Sequence, residues 1–124
     1  MSLCPCASGQ AYADCCARLH GGAAAATALA LMRSRYSAYV LGLEDYLLAT
    51  WHPTTRPPAL HLADEAGIRW LGLEVRRHQQ QDDSHATVEF VARYRVAGRG
   101  HRLRERSRFV REDGRWYYVD GDIG

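Results

Sequence analysis

Four cysteines stand within the first sixteen residues, Cys4, Cys6, Cys15 and Cys16, in the pattern C-x-C-x8-C-C. Clustered thiols in a chain without an export signal are more often metal ligands or redox centres than structural disulfides. The neighbours Cys15 and Cys16 could bridge each other only through a strained ring. Four thiolates converging on one ion make instead a tetrahedral Cys4 site, and such a site with zinc is closed and therefore structural. Ser8-Gly9 between the two pairs is a turn signal, and a tight turn there would aim backbone N–H groups at the first two sulfurs. Residues 1–22 offer only Leu3, Tyr12 and Leu19 as sizeable apolar groups and cannot order themselves by burial. A structural zinc, worth an apparent ~10–16 kcal/mol in small finger peptides, is enough. His20 in place of one sulfur, a reactive redox pair and four inert thiols are the lesser alternatives.

A second cluster of chemistry lies near the other end. Side chains of a strand alternate faces, so Arg102, Arg104, Arg106 and Arg108 share one face and Leu103, Glu105, Ser107 and Phe109 the other. Leu103 and Phe109 belong in a core, so Glu105 and Ser107 are predicted to point inward. A carboxylate there must find partners or take up a proton; Arg33, Arg35, His52, Trp51 and Trp70 are the candidates. The arginine face is a stripe roughly 20 Å long, from about 6.6 Å between alternate residues, and could follow a phosphate backbone. A solvated outer face paired with acids such as Glu89 is the plainer reading.

The segment Cys4-Pro5-Cys6-Ala7-Ser8-Gly9-Gln10-Ala11-Tyr12-Ala13-Asp14-Cys15-Cys16 resembles the SEC-C motif, the zinc knuckle best known from the tail of the SecA preprotein translocase motor. It departs from that motif at Ala7, where glycine is usual, and in lacking lysines around Gln10, Ala11 and Ala13. Further stretches resemble the YchJ-like family of uncharacterised bacterial proteins: Leu31-Met32-Arg33-Ser34-Arg35-Tyr36-Ser37-Ala38-Tyr39, Thr50-Trp51-His52-Pro53, Glu105-Arg106-Ser107-Arg108-Phe109-Val110, and Asp113-Gly114-Arg115-Trp116-Tyr117-Tyr118-Val119-Asp120-Gly121. The resemblance implies zinc ligation by Cys4, Cys6, Cys15 and Cys16, and a nuclear-transport-factor-2-like cone of helices against a curved sheet. In that superfamily the space between sheet and helices is often a ligand pocket. Glu105, Ser107, Trp51, His52 and Trp70, with Arg33 or Arg35, are expected to line one here; a satisfied buried polar network that only fixes helix on sheet is the plainer alternative. The family has no settled activity, so no catalytic residue carries over.

The elements that must position these groups read as follows. After the linker His20-Gly21-Gly22, Leu29, Met32, Tyr36, Val40 and Leu43 recur at helical spacing. Thr27 could cap this helix, Gly42 permits a bend, and Leu43, Tyr46 and Leu47 continue the stripe until His52-Pro53 stops it. Residues 60–66 read as a short third helix closed by Gly67. Strands are expected over 68–77, 86–96, 101–111 and 115–120, with turns at Gln79 to Ser84, Gly98-Arg99-Gly100 and Glu112-Asp113-Gly114. Helices first and an antiparallel meander after them spell an α+β fold, with a knuckle over 1–22 and the cone domain over 23–124.

Composition bounds the rest. The 124 residues carry a formal net charge of +2, with 47% hydrophobic and 24% charged residues. That is ordinary for a soluble globular protein. All sixteen basic residues are arginine, which excludes lysine Schiff-base chemistry on this chain. No apolar run approaches the roughly 20 residues of a membrane span, and the start lacks a basic then apolar leader, so the expected location is cytoplasmic. Phosphate-loop, nucleophile-elbow and H-E-x-x-H patterns are absent. His61, His78, His85 and His101 show no ligand spacing and read as surface residues. The leading expectation is a cytosolic zinc-binding adapter or interaction module, non-enzymatic, with a protein partner. The competing reading is a small-molecule-binding or enzymatic cone that uses Glu105. Nucleic acid on the arginine face ranks third, and pairing of two chains through their sheets stays open. An open, polar-lined cavity would favour the second reading; a filled cone with an apolar patch beside the knuckle would favour the first.

Overall fold

The computed structural model describes residues 3–62 and 67–124. The first turn of chain is a miniature hairpin. Leu3 bridges Ala11, and the Cys4 N–H donates to the Gln10 carbonyl at 2.8 Å. Its tip carries two left-handed residues, Ala7 at φ 64° and Gly9 at φ 85°. A 3-10 turn over Tyr12–Asp14 leads into the short helix α1, Cys16–His20.

Helix α2, Ala28–Leu41, begins where the extended Thr27 accepts the Ala30 N–H on Oγ1 at 3.1 Å, which satisfies one of the otherwise unpaired first-turn donors. Gly42, at φ 73°, ends it; the Gly42 and Leu43 N–H groups both return to the Ala38 carbonyl. Gly42 is therefore a left-handed cap and not the bend that the continuous stripe suggested. Helix α3, Glu44–Ala49, is a separate element. Its end is stitched to the sheet: the His52 N–H donates to the Tyr118 carbonyl at 2.7 Å, and the Tyr118 N–H to the Thr50 carbonyl at 2.9 Å. The helix expected over 60–66 falls mostly outside the described residues.

Four strands follow, β1 Ile68–Gln80, β2 His85–Val96, β3 Arg99–Glu112 and β4 Arg115–Ile123, in one antiparallel sheet in sequence order. Two-residue turns with both φ angles positive, Ala97-Gly98 and Asp113-Gly114, join the last three; these match the twist of the strands they connect. The first of them lies one residue earlier than the sequence suggested, so Arg99 and Gly100 already pair with β2. Register shifts at Leu71 and Arg76 in β1, and opposite Arg108/Phe109 in the β3–β4 pair, bend the sheet, since a bulge adds curvature and twist.

The concave face packs on α2. Met32 and Tyr36 meet Leu73, Val88, Ala92 and Phe109, with Leu31 and Trp116 completing the core. Helix α2 is buried on more than one side, because α1, α3 and three strands all pack against it. This is the α+β architecture expected, helices against a curved antiparallel sheet.

Candidate metal centre and cone cavity

The miniature hairpin places Cys4 and Cys6, and the 3-10 turn delivers Cys15 and Cys16 to the same spot. The four Sγ atoms lie within 4.8 Å of one another. The Sγ of Cys15 is 3.6 Å from that of Cys6 and 3.9 Å from that of Cys16, too long for disulfides. They match the edge of about 3.8 Å that a tetrahedron with metal–sulfur bonds of about 2.3 Å requires. Cys6 is fully buried, Cys4 and Cys16 nearly so.

Hydroxyls support the sulfurs. Ser8 Oγ lies 3.2 Å from Cys15 Sγ, and Ser37 Oγ, from α2, lies 3.3 Å from Cys16 Sγ and 3.5 Å from Cys4 Sγ. Hydrogen bonds from Cys16, from Ser8 by side chain and backbone, and from Cys4 hold the Cys6 thiol down at about 4 against the opposing effect of burial. That same Cys6–Cys16 bond, followed by burial, pushes Cys16 up, while Cys15 is raised first by burial. The Cys6 thiolate is thus favoured while Cys15 and Cys16 hold their protons, and a bound cation favours the anionic form of such sulfurs. The donor set fits a soft or borderline divalent ion.

His20 is not part of this set. Its Nε2–H donates to the Ser34 carbonyl at 2.8 Å, so Nδ1 accepts from the Tyr12 hydroxyl at 2.6 Å. Arg33 turns to the knuckle and away from the cone, donating from Nη1 to the Cys6 carbonyl at 2.6 Å. Ser34 Oγ bonds the Tyr46 hydroxyl at 2.6 Å. Ser37, Ser34 and Tyr46 were missed from sequence because their partners lie on other elements.

Between α2 and the sheet lies a cavity of about 320 Å³, lined among others by Arg35, Trp51, Trp70, Glu105, Ser107 and Tyr118. Glu105 Oε2 accepts from Ser107 Oγ and, at 3.3 Å, from the Tyr118 hydroxyl. Burial and the Glu105 charge push the Tyr118 phenol up, so it remains a donor. Arg35 is 6% exposed. Its Nη1 donates to the Leu47 carbonyl at 2.8 Å and to Thr50 Oγ1 at 2.6 Å, and its guanidinium carbon lies 5.2 Å and 4.6 Å from the ring centres of Trp51 and Tyr118. Burial pulls its pKa down from the usual arginine value. The Glu105 carboxylate packs over the backbone of Gly121, where a Cβ would stand 2.6 Å from Oε2 and 2.9 Å from Cδ. A glycine inside a strand often marks such a close approach, which is the signal that would have found it.

His52 lies outside this cavity. Its Nε2 pairs with Glu112 at 2.7 Å and its Nδ1 meets Thr54 Oγ1 at 2.7 Å. Its backbone is tied to Tyr118 of β4, and its ring lies against Tyr117 and Glu112, beside the turn between β3 and β4. On the convex face the arginine stripe is divided. Arg104 pairs with Glu89 at 3.2 Å, and Arg108 with Asp122 at 2.8 Å and with Asp120. Arg102 and Arg106 carry no ion pair among the described residues.

Comparison with known proteins agrees along the whole chain. A family model described as the YchJ middle NTF2-like domain matches residues 27–121, and the SEC-C motif model matches residues 2–18. A UPF0225 protein of Bordetella parapertussis is 62% identical over 98% of this chain and 93% of its own length. One from Chromobacterium violaceum is 61% identical over 97% and 92%. Among solved structures, the solution structure of a SEC-C motif containing protein from Rhodopseudomonas palustris superposes with a TM-score of 0.88 at 39% identity, covering 98% of each chain. The crystal structure of a SEC-C motif containing protein from Psychrobacter arcticus gives 0.81 at 30% identity, over 98% of this chain and 82% of that one. No helix among the described residues is long and apolar enough to cross a membrane.

Proposed function

The chain belongs to the YchJ-like, UPF0225 family of SEC-C proteins with a nuclear-transport-factor-2-like domain, and from that premise we propose that it is a zinc-clamped binding protein for a small molecule. The observation that carries this reading is the open cone. A filled interior was the mark of a pure adapter, whereas here helix and sheet leave a cavity into which a guanidinium, a carboxylate and aromatic rings converge. Its volume of about 320 Å³ sits at the small end of ligand pockets, roughly 300–1,000 Å³.

Cys4, Cys6, Cys15 and Cys16 would hold the zinc, which would supply charge neutralisation and a structural tie and not catalysis, since sulfur would fill its coordination positions. The residues of this chain do the remaining work. Ser8 and Ser37 orient the sulfurs, and Ser37 joins them to α2. Two residues before Ser37, the same helix presents Arg35 to the cavity. The knuckle thereby braces the element that carries a principal polar group of the pocket. A second reading, docking of a protein beside the knuckle, is favoured by Leu3, which is 70% exposed next to Cys4.

A screen of small soluble compounds by amide and indole NMR shifts tests the proposal. Hits are expected to move Trp51, Trp70, Phe90 and Glu105 together. Shifts confined to Leu3 and its neighbours, or none at all, would contradict it.

A further inference from the structure

We propose that the cone cavity is a receptor for a small aromatic carboxylate, whose carboxylate group is held by the Nε–Nη2 edge of Arg35. This rests on the reading of the cavity as a ligand site and names the class of ligand.

Arg35 is the starting point. A guanidinium cannot be deprotonated to escape burial, and a buried charge is costly unless it is paired. Among the described residues no carboxylate comes within ion-pair distance of Arg35. Glu105 shares the cavity, but its Oε2 is given to Ser107 and Tyr118. Nη1 is committed to Leu47 and Thr50, while Nε and Nη2 make no hydrogen bond to the described residues. They are not sealed off either: the one sealed side-chain polar atom without a partner among the described residues is His78 Nε2. Nε and Nη2 therefore keep some accessible surface, and the cavity is the space that Arg35 lines. Nε–H and Nη2–H are the two parallel donors on one side of the guanidinium plane, the fork that matches the two oxygens of a carboxylate.

The surroundings select the rest of the molecule. Trp70 lies edge-on to Tyr36 at 5.8 Å between ring centres and tilted against Tyr94 at 5.4 Å. With Phe90 they make walls suited to a flat apolar body. Glu105 Oε1 has no partner among the described residues, and a carboxylate oxygen only accepts. It favours a ligand bearing an O–H or N–H and repels a second carboxylate. The ligand is accordingly a hydroxy- or amino-substituted aromatic monocarboxylate.

The test is calorimetric titration of the full chain, as purified with its metal, with 4-hydroxybenzoate, 4-methylphenol and terephthalate, each checked by NMR for shifts at the cavity. Saturable binding of 4-hydroxybenzoate is expected, with the other two at least ten-fold weaker. Arg35→Gln should reduce 4-hydroxybenzoate to the level of 4-methylphenol, and Glu105→Gln should narrow the gap between terephthalate and 4-hydroxybenzoate. If 4-methylphenol binds in the cavity as tightly as 4-hydroxybenzoate, the ligand class is overturned and the cavity reading stands. If none of the three reaches the cavity, both fail. Should Arg35→Gln not fold, the comparison of probes on the wild-type chain and the Glu105→Gln exchange decide alone.

Discussion

Ala7 occupies the left-handed region at φ 64° in the tip of the cysteine hairpin, where an L side chain costs about 1–2 kcal/mol. Glycine at this place in related knuckles has a physical reason. Ala7→Gly is expected to raise stability by roughly 0.5–1 kcal/mol, once the extra freedom of glycine in the unfolded chain is set against the relief of strain; urea unfolding measures it. Gly121→Ala should do the opposite. Its Cβ would collide with the Glu105 carboxylate, and overpacking of this kind costs about 1–3 kcal/mol. Gly100→Ala, with nothing near its Cβ, is the control and should change stability little. The sulfur cluster was legible because its spacing is local, and Glu105 and Ser107 because strand alternation assigns faces without knowledge of the fold. Arg33 and His52 were misplaced for the converse reason: which side of α2 meets the knuckle, and how the loop after α3 is tied to β4, are settled by contacts between distant segments. Tyr118 escaped attention on the same ground, and Gly121 because the expected strand stopped at 120 while β4 runs on to Ile123.

Among the elements, the convex face of the sheet carries unrelieved repulsion. Arg93 stands opposite Arg102 across β2 and β3, and Arg69 opposite Arg95 across β1 and β2, with no ion pair to any of the four among the described residues. Like charges directly opposite destabilise a sheet, by about 0.2–1 kcal/mol per pair. Arg93→Glu should therefore raise the melting temperature at low ionic strength, and the gain should shrink in high salt as screening weakens both interactions. The segment after α3 holds a pH-sensitive tie. Glu44 accepts the Leu62 N–H at 2.9 Å and the Leu60 N–H at 3.4 Å, and these bonds draw its pKa below the usual carboxylate value. A lowered folded pKa gives a contribution present above the ordinary carboxylate range and lost as pH falls through the folded value. Protection of the Leu60 and Leu62 amides from exchange should fall over that acid window in the wild type and be pH-independent there in Glu44→Gln. Strand existence and the hairpin between β3 and β4 were readable from alternation and Asp113-Gly114. The end of α2 was not, because the apolar stripe runs on through Gly42 into a second helix.

For the molecule as a whole, α2 is the shared part. One side receives the sulfurs through Ser37, another lies on the sheet, and a third meets α3 through Ser34 and Tyr46. A single amphipathic face could not have announced this, since the helix is buried nearly all round. Removal of the metal should then loosen more than the knuckle: a chelator is expected to lower the melting temperature of the whole chain and to speed exchange along α2, because an ion bound only by the folded state stabilises that state. An ion that gathers the four thiols and so braces the cone is open to elemental analysis of the purified chain with a thiol count. One zinc per chain is expected, with four thiols that react only after chelation; a metal-free protein whose residues from Cys4 to Cys16 remain ordered would contradict it.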